Sequence, residues 1–196
     1  MLSYRGIPGW FDFEDVYAEA VARAPVDRPS YFVEVGALFG ASSRCMVDLI
    51  KASKKQIWLD VVDLFPEKFT APKAEKQREI TDRHGGCLAA FNHYTGGFKD
   101  YDQVRVHKMH STEFIKMMGE GYITIPAKFD FVFLDGGHTY ENVSAEIKGF
   151  LPIMRKGAII GGHDYANNDW PGVKQAVDEA FGSTVKKKGN SWLKYL

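Results

Sequence analysis

Short apolar runs alternate with stretches of helical spacing along almost the whole chain. Residues 31–35, 56–62 and 129–134 are apolar nearly throughout, and they stop at Gly36, Asp63 and Asp135. A strand with one wet face alternates apolar and polar residues, so a strand apolar on both faces is covered on both. The run at 104–109 does alternate, which predicts a strand nearer an edge, and 157–162 predicts a further strand. Helical spacing falls at 13–24, 41–53, 73–81, 87–94, 112–118, 140–151 and 171–181, the last opening with a proline where it costs no hydrogen bond. The tail, 183–188 and 191–196 around Gly189-Asn190, reads as a hairpin. Strands alternating with helices and joined by right-handed crossovers give an α/β fold. The expectation is a doubly wound, mostly parallel, seven-stranded sheet with a C-terminal antiparallel hairpin.

The 196 residues suit a single domain, with 1–28 as an N-terminal helical segment and 66–86 as an excursion over the active face. Lys plus Arg is 25 and Asp plus Glu is 25, so no long-range attraction to nucleic acid is expected. The start of the chain has neither a basic cluster nor an apolar run, and no stretch approaches the roughly 18 apolar residues of a membrane span. A cytoplasmic protein is expected, with no membrane partner. Cys45 and Cys87 form no CxxC or zinc pattern and read as buried, reduced thiols.

In such sheets ligands lie beyond the carboxyl ends of the strands, near the point where strand order reverses. After the first strand come Glu34-Val35-Gly36-Ala37-Leu38-Phe39-Gly40-Ala41-Ser42. Two glycines flank a turn that opens a helix, whose free N–H groups can take a carboxylate. Glu34 would repel a pyrophosphate but suits a ligand with a cationic amino-acid end. Asp63 ends the second strand, where a carboxylate can accept both hydroxyls of a ribose. His110-Ser111 follow the third strand, at the place of an adenine edge, with a helix N-cap as the competing reading of Ser111. Asp135-Gly136-Gly137-His138 follow the fourth strand and His163-Asp164 the fifth. Two carboxylates and two imidazoles at one sheet edge suit a divalent cation or a general base.

These segments, with Pro171-Gly172-Val173 downstream, resemble class I S-adenosylmethionine-dependent methyltransferases, most closely the small-molecule O-methyltransferases of catechol and antibiotic-sugar type. The likeness covers roughly residues 30–180. It implies a Rossmann-like methyltransferase fold and S-adenosylmethionine as cofactor. It implies cofactor contacts from Glu34, Gly36, Ala37, Phe39, Gly40, Ser42, Asp63, Leu64, His110, Ser111, Asp135 and Gly136. It also implies O-methylation of a small hydroxylated metabolite or sugar, with His138 as base beside Asp135. In metal-using members Mg2+ or another divalent cation sits at the positions of Asp135, His163 and Asp164, although His163 stands where those members carry Asp. A small-molecule acceptor is the expected partner, and a homo-oligomer is compatible with this. A nicotinamide-dependent oxidoreductase, a non-catalytic S-adenosylmethionine-binding protein and a metal-dependent hydrolase are the rival readings. The first lacks its GxGxxG, and the last leaves the glycine turn unexplained.

Overall fold

A computed structural model describes residues 3–69, 74–123 and 128–196. Seven strands form one sheet: β1 (Ser30–Val35), β2 (Ile57–Asp63), β3 (Val104–Lys108), β4 (Phe129–Leu134), β5 (Met154–Gly162), β6 (Lys186–Lys188) and β7 (Ser191–Tyr195). Their order is β3-β2-β1-β4-β5-β7-β6. The first five run parallel, β7 is antiparallel to β5, and β6 is antiparallel to β7. Strand order reverses between β1 and β4, which puts the switch point at the ends of those two strands.

Helices cover both faces. One face carries α1 (Glu14–Arg23), α2 (Ala41–Ser53), α3 (Glu75–His84) and α4 (Cys87–Thr95); the other carries α5 (Ser111–Gly119), α6 (Tyr140–Phe150) and α7 (Pro171–Phe181). The alternation of the strands explains their composition. Phe32, Leu59, Val61, Phe131 and Phe133 point to the first core, while Val33, Val35, Val62, Val132 and Leu134 point to the second. Each core is apolar, so β1, β2 and β4 are apolar nearly throughout.

The edge reading of 104–109 holds, since β3 closes one side of the sheet. Lys187 and Lys188 lie on the other edge, where charged side chains discourage strand addition. Cys45 and Cys87 are buried and free. Several boundaries differ from the periodicity. Lys73 lies outside the described residues, and α3 runs beyond Thr81 to His84, where Gly85 takes the left-handed conformation that ends a helix. β5 begins at Met154, because a register shift opposite Phe129–Phe131 absorbs the polar residues 155–157. β6 is only three residues long.

Candidate active site

A cavity of about 1050 Å³ opens at the carboxyl ends of the parallel strands. Ala37, Phe39, Ser42, Asp63, Leu64, His110, Ser111, Asp135, Gly136, His138, His163 and Asp164 all border it. The excursion after β2 contributes Pro66, Phe69, Ala74 and Gln77. The turn after β1 builds one wall. Gly36 has φ +86°, and a Cβ there would lie 2.2 Å from the carbonyl oxygen of Asp135. Only glycine lets the ends of β1 and β4 meet this closely. Leu38 sits in the left-handed region at φ +49°, an uncommon place for a branched side chain.

Asp63 holds this turn. Its Oδ2 accepts the backbone N–H groups of Ala37 at 2.7 Å and Leu38 at 3.0 Å, and Oδ1 accepts that of Phe65 at 2.6 Å. Burial pushes its pKa upward, while the three N–H groups oppose the shift. A carboxylate offers about four acceptor positions, so three are already engaged. One acceptor position is left beside the three that the turn occupies.

Two expected cofactor residues lie off the cavity wall. Glu34 is buried under the turn, where its carboxylate accepts the Tyr17 hydroxyl at 2.7 Å and that of Ser43. Burial raises its pKa against the hydrogen bonds from Ser42, Ser43 and Tyr17. Its carboxylate is thus engaged by the protein's own hydroxyls. Gly40 is needed for packing, since a Cβ there would lie 2.4 Å from Thr95 Cγ2. On the opposite side His110, not Ser111, caps α5, its ring nitrogen accepting the N–H of Thr112 at 3.3 Å. Ser111 instead donates its hydroxyl to Glu146 at 2.6 Å.

The ends of β4 and β5 bring the titratable groups together. His138 Nε2 lies 2.8 Å from Asp164 Oδ2 and 4.0 Å from Asp135 Oδ1. Its ring stacks on Trp170 with centroids 4.6 Å apart and planes at 26°. Gly137 shapes this loop by size rather than by φ, because a Cβ there would lie 2.6 Å from the Asn142 amide. Asp164 itself has φ +60°. Burial acts to raise its pKa, but hydrogen bonds from His138, His163 and Asn167 prevail and hold it well below the usual carboxylate range. Asp135 is pushed the other way, chiefly by burial.

His163 lies between this trio and Asp12. Its Nε2 bonds Asp12 at 2.8 Å, and its Nδ1 stays 3.5 Å from Asp164 and 3.7 Å from Asp135. Burial disfavours its charged form, yet the hydrogen bond to Asp164 and the charges of Asp135, Asp164 and Asp12 raise its pKa to about 9. One ligand atom each from Asp135, His138 and Asp164 lies within 4.8 Å of the others. The geometric donor set thus exchanges His163 for His138.

Asp12, Asn142, Glu146 and Asn167 also border the cavity, and the sequence reading did not single them out. Glu146 had a legible signal: it shares the helical face of Val143, Ile147 and Phe150. Trp10 and Trp170 border the cavity, while the hydroxyls of Tyr140 and Tyr165 donate to Glu179 and Asp178 elsewhere.

Residues 33–165 match a family of methyltransferase domains, and the chain belongs to that family. No curated protein matches it in sequence. Among solved structures it is similar to CalS11, a calicheamicin methyltransferase, with TM-score 0.67 and 17% identity over 93% of this chain and 77% of that one. It is similar to the O-methyltransferase NovP, with TM-score 0.65 and 18% identity over 93% and 78%. MycE, a methyltransferase of mycinamycin biosynthesis described in complex with Mg, SAH and mycinamycin VI, aligns with TM-score 0.58 and 14% identity over 95% of this chain and 50% of its own. At these identities the likeness is one of fold, the Rossmann-like methyltransferase fold that the strand order also gives. Among the described residues, no helix is long and apolar enough to cross a membrane.

Proposed function

We propose that this chain is an S-adenosylmethionine-dependent O-methyltransferase acting on a small hydroxylated metabolite or sugar. The observation that carries the reading is one cavity bordered both by the glycine turn that Asp63 pins and by the His138–Asp164 pair. The residues fit the cofactor. The turn and the start of α2 suit its amino-acid end, the remaining acceptor position of Asp63 suits a ribose hydroxyl, and the side of His110 and Ser111 suits its base. When bound, S-adenosylmethionine supplies the methyl group together with a neutral thioether leaving group.

The chain's own task is alignment and proton removal. Asp164 accepts Nε2–H of His138, which fixes the tautomer and leaves Nδ1 as the basic nitrogen. His138 would take the acceptor's hydroxyl proton at Nδ1, leaving the oxygen free to receive the methyl group. Asp164 steadies the imidazolium that results. Trp170, stacked on the ring, fixes its plane and keeps water from that face. Trp10 and Trp170 are the aromatic surfaces available to an acceptor at the rim.

The grouping of Asp135, His138 and Asp164 favours a second reading, with a divalent cation held by these three. Two carboxylates and an imidazole suit manganese, iron or zinc better than magnesium, which prefers oxygen donors. A cation there would make the hydroxyl more acidic, and it would replace the Asp164 contact that prepares His138 as base. Calorimetry with S-adenosylmethionine and S-adenosylhomocysteine, followed by a labelled-methyl screen of hydroxylated metabolites, tests the main reading. Micromolar binding and methyl transfer to oxygen are expected. No heat and no thermal shift with either compound overturns it.

A further inference from the structure

Charge is distributed unevenly over the wall of the cavity. Its described lining has no lysine or arginine, while Asp12, Asp63, Asp135, Glu146, Asp164 and Asp169 all border it. Asp63, Glu146 and Asp164 are engaged by hydrogen bonds within the protein. Asp12 gives one oxygen to His163 at 2.8 Å. The carboxylate of Asp169 has neither a hydrogen bond nor an ion pair among the described residues. Basic residues close by in sequence are occupied elsewhere, Arg5 by Glu14 at 2.9 Å and Lys174 by Asp178.

Asp169 and Trp170 are held in place by short turns after β5. The N–H of Asn167 donates to the Asp164 carbonyl at 3.2 Å, and that of Trp170 to the Asn167 carbonyl at 3.1 Å. The N–H of Asp169 donates to Asn167 Oδ1 at 3.0 Å, and Pro171 then opens α7. Trp170 stacks on His138, yet its side chain remains 43% exposed. Trp10, from the N-terminal segment, borders the same cavity and is 70% exposed. An indole face carries negative potential. Beside carboxylates, and with no basic side chain to offset them, it attracts a cation and repels an anion.

We propose that the methyl acceptor is a hydroxylated amine, its ammonium group held at the rim by the Trp170 indole and the Asp169 carboxylate while its hydroxyl reaches His138. Acceptors that carry a phosphate or a carboxylate are refused. This rests on the reading of the cavity as a methyltransferase site. An ammonium gains from the indole face and from the unpaired carboxylate together, whereas a neutral acceptor gains only the stacking. An anion meets like charge and finds no donor with a positive charge in the described lining. Asp169 is thus a specificity residue and takes no part in the chemical step.

The test uses three probes with one phenol ring and different ends: tyramine (an ammonium), tyrosol (a hydroxyl) and 4-hydroxyphenylacetate (a carboxylate). Each is titrated into the full chain saturated with S-adenosylhomocysteine, and the indole N–H signals of the tryptophans are followed by two-dimensional NMR. Tyramine should shift the Trp10 and Trp170 signals and bind roughly tenfold tighter than tyrosol, with 4-hydroxyphenylacetate weakest. The preference should fade at about 1 M salt, where the screening length falls to about 3 Å. Asp169→Asn removes the charge at an exposed position that supports no other side chain. It should bring tyramine within about 3-fold of tyrosol and leave tyrosol unchanged. A chain that does not bind S-adenosylhomocysteine overturns the cofactor reading itself. A chain that binds it but takes the three probes equally, prefers the carboxylate or binds none of them overturns the choice of a cationic acceptor alone. An Asp169→Asn variant that keeps the full preference removes that residue from the selection.

Discussion

Nε2 of His138 lies 2.8 Å from Oδ2 of Asp164, across the ends of two neighbouring parallel strands. Asp164 reaches that position from a left-handed backbone at φ +60°, and Asn167 donates to its other oxygen at 2.8 Å. A non-glycine residue in that region costs of order 1 kcal/mol and persists only where its surroundings fix it. Here the surroundings aim a carboxylate at an imidazole. His138→Ala should lower turnover roughly 10²–10⁴-fold and leave S-adenosylhomocysteine affinity within about 3-fold. Asp164→Asn should lower turnover about 10²-fold or more, since an amide can hold the ring in the wrong tautomer. Steady-state kinetics beside calorimetry separates the two quantities. Near-normal turnover in His138→Ala removes that residue from proton transfer.

The role of a cation is decided by removal. With His138 as base, turnover should survive exhaustive chelation followed by buffer exchange. Loss of activity, restored by manganese better than by magnesium, would shift the chemistry to Asp135, His138 and Asp164 as ligands.

The link between Asp63 and the turn makes a third expectation. Asp63→Ala removes the acceptor for the N–H groups of Ala37 and Leu38 as well as the position proposed for a ribose hydroxyl. It should weaken S-adenosylhomocysteine by about 1.5–3 kcal/mol, the scale of hydrogen bonds to a charged group. Leu38→Gly relieves the left-handed φ of +49° but frees the unfolded chain, so its net effect on stability should stay within about 1 kcal/mol. Denaturant titration of the two variants with and without S-adenosylhomocysteine tells turn integrity from ligand contact. Unchanged affinity in Asp63→Ala would remove it from the binding surface.

What the sequence made legible was whatever is local. Two-sided burial leaves β1, β2 and β4 apolar throughout, and the residue that ends each run falls at the cavity because parallel strands all end on one side. That is why Asp63, Asp135, His138 and Asp164 were found. Partners distant in sequence were not legible. Asp12 meets His163 across 151 positions, and its charge is one of those that raise the pKa of that imidazole. Glu34 stands in the expected motif, but Tyr17 from α1 and Ser43 from α2 claim its carboxylate. Periodicity can place a residue on a face; it does not say which hydroxyl waits there.

Glu146 gives the last prediction, in stability rather than binding. Burial raises its pKa from 4.5 to about 7, against the opposing effects of Ser111 and His138. The folded state therefore holds this proton to higher pH than the unfolded state does. The contribution to stability is fully present below about pH 4.5 and is lost as pH rises through about 7. At about 1.4 kcal/mol per pH unit, the shift corresponds to about 3 kcal/mol of destabilisation at alkaline pH. Glu146→Gln keeps a hydrogen-bonding partner for Ser111 and removes the ionisation. Without ligand, the variant should exceed the wild type in stability by up to about 3 kcal/mol above pH 7, with the gap closing toward pH 4.5. Groups such as Asp100, held low by its hydrogen bonds with Arg44 and Lys51, act in acid and cancel between the two proteins. Urea unfolding across pH 4.5–8.5 reads the difference directly. A gap that does not change with pH would mean that Glu146 ionises in the folded chain as it does in the unfolded one.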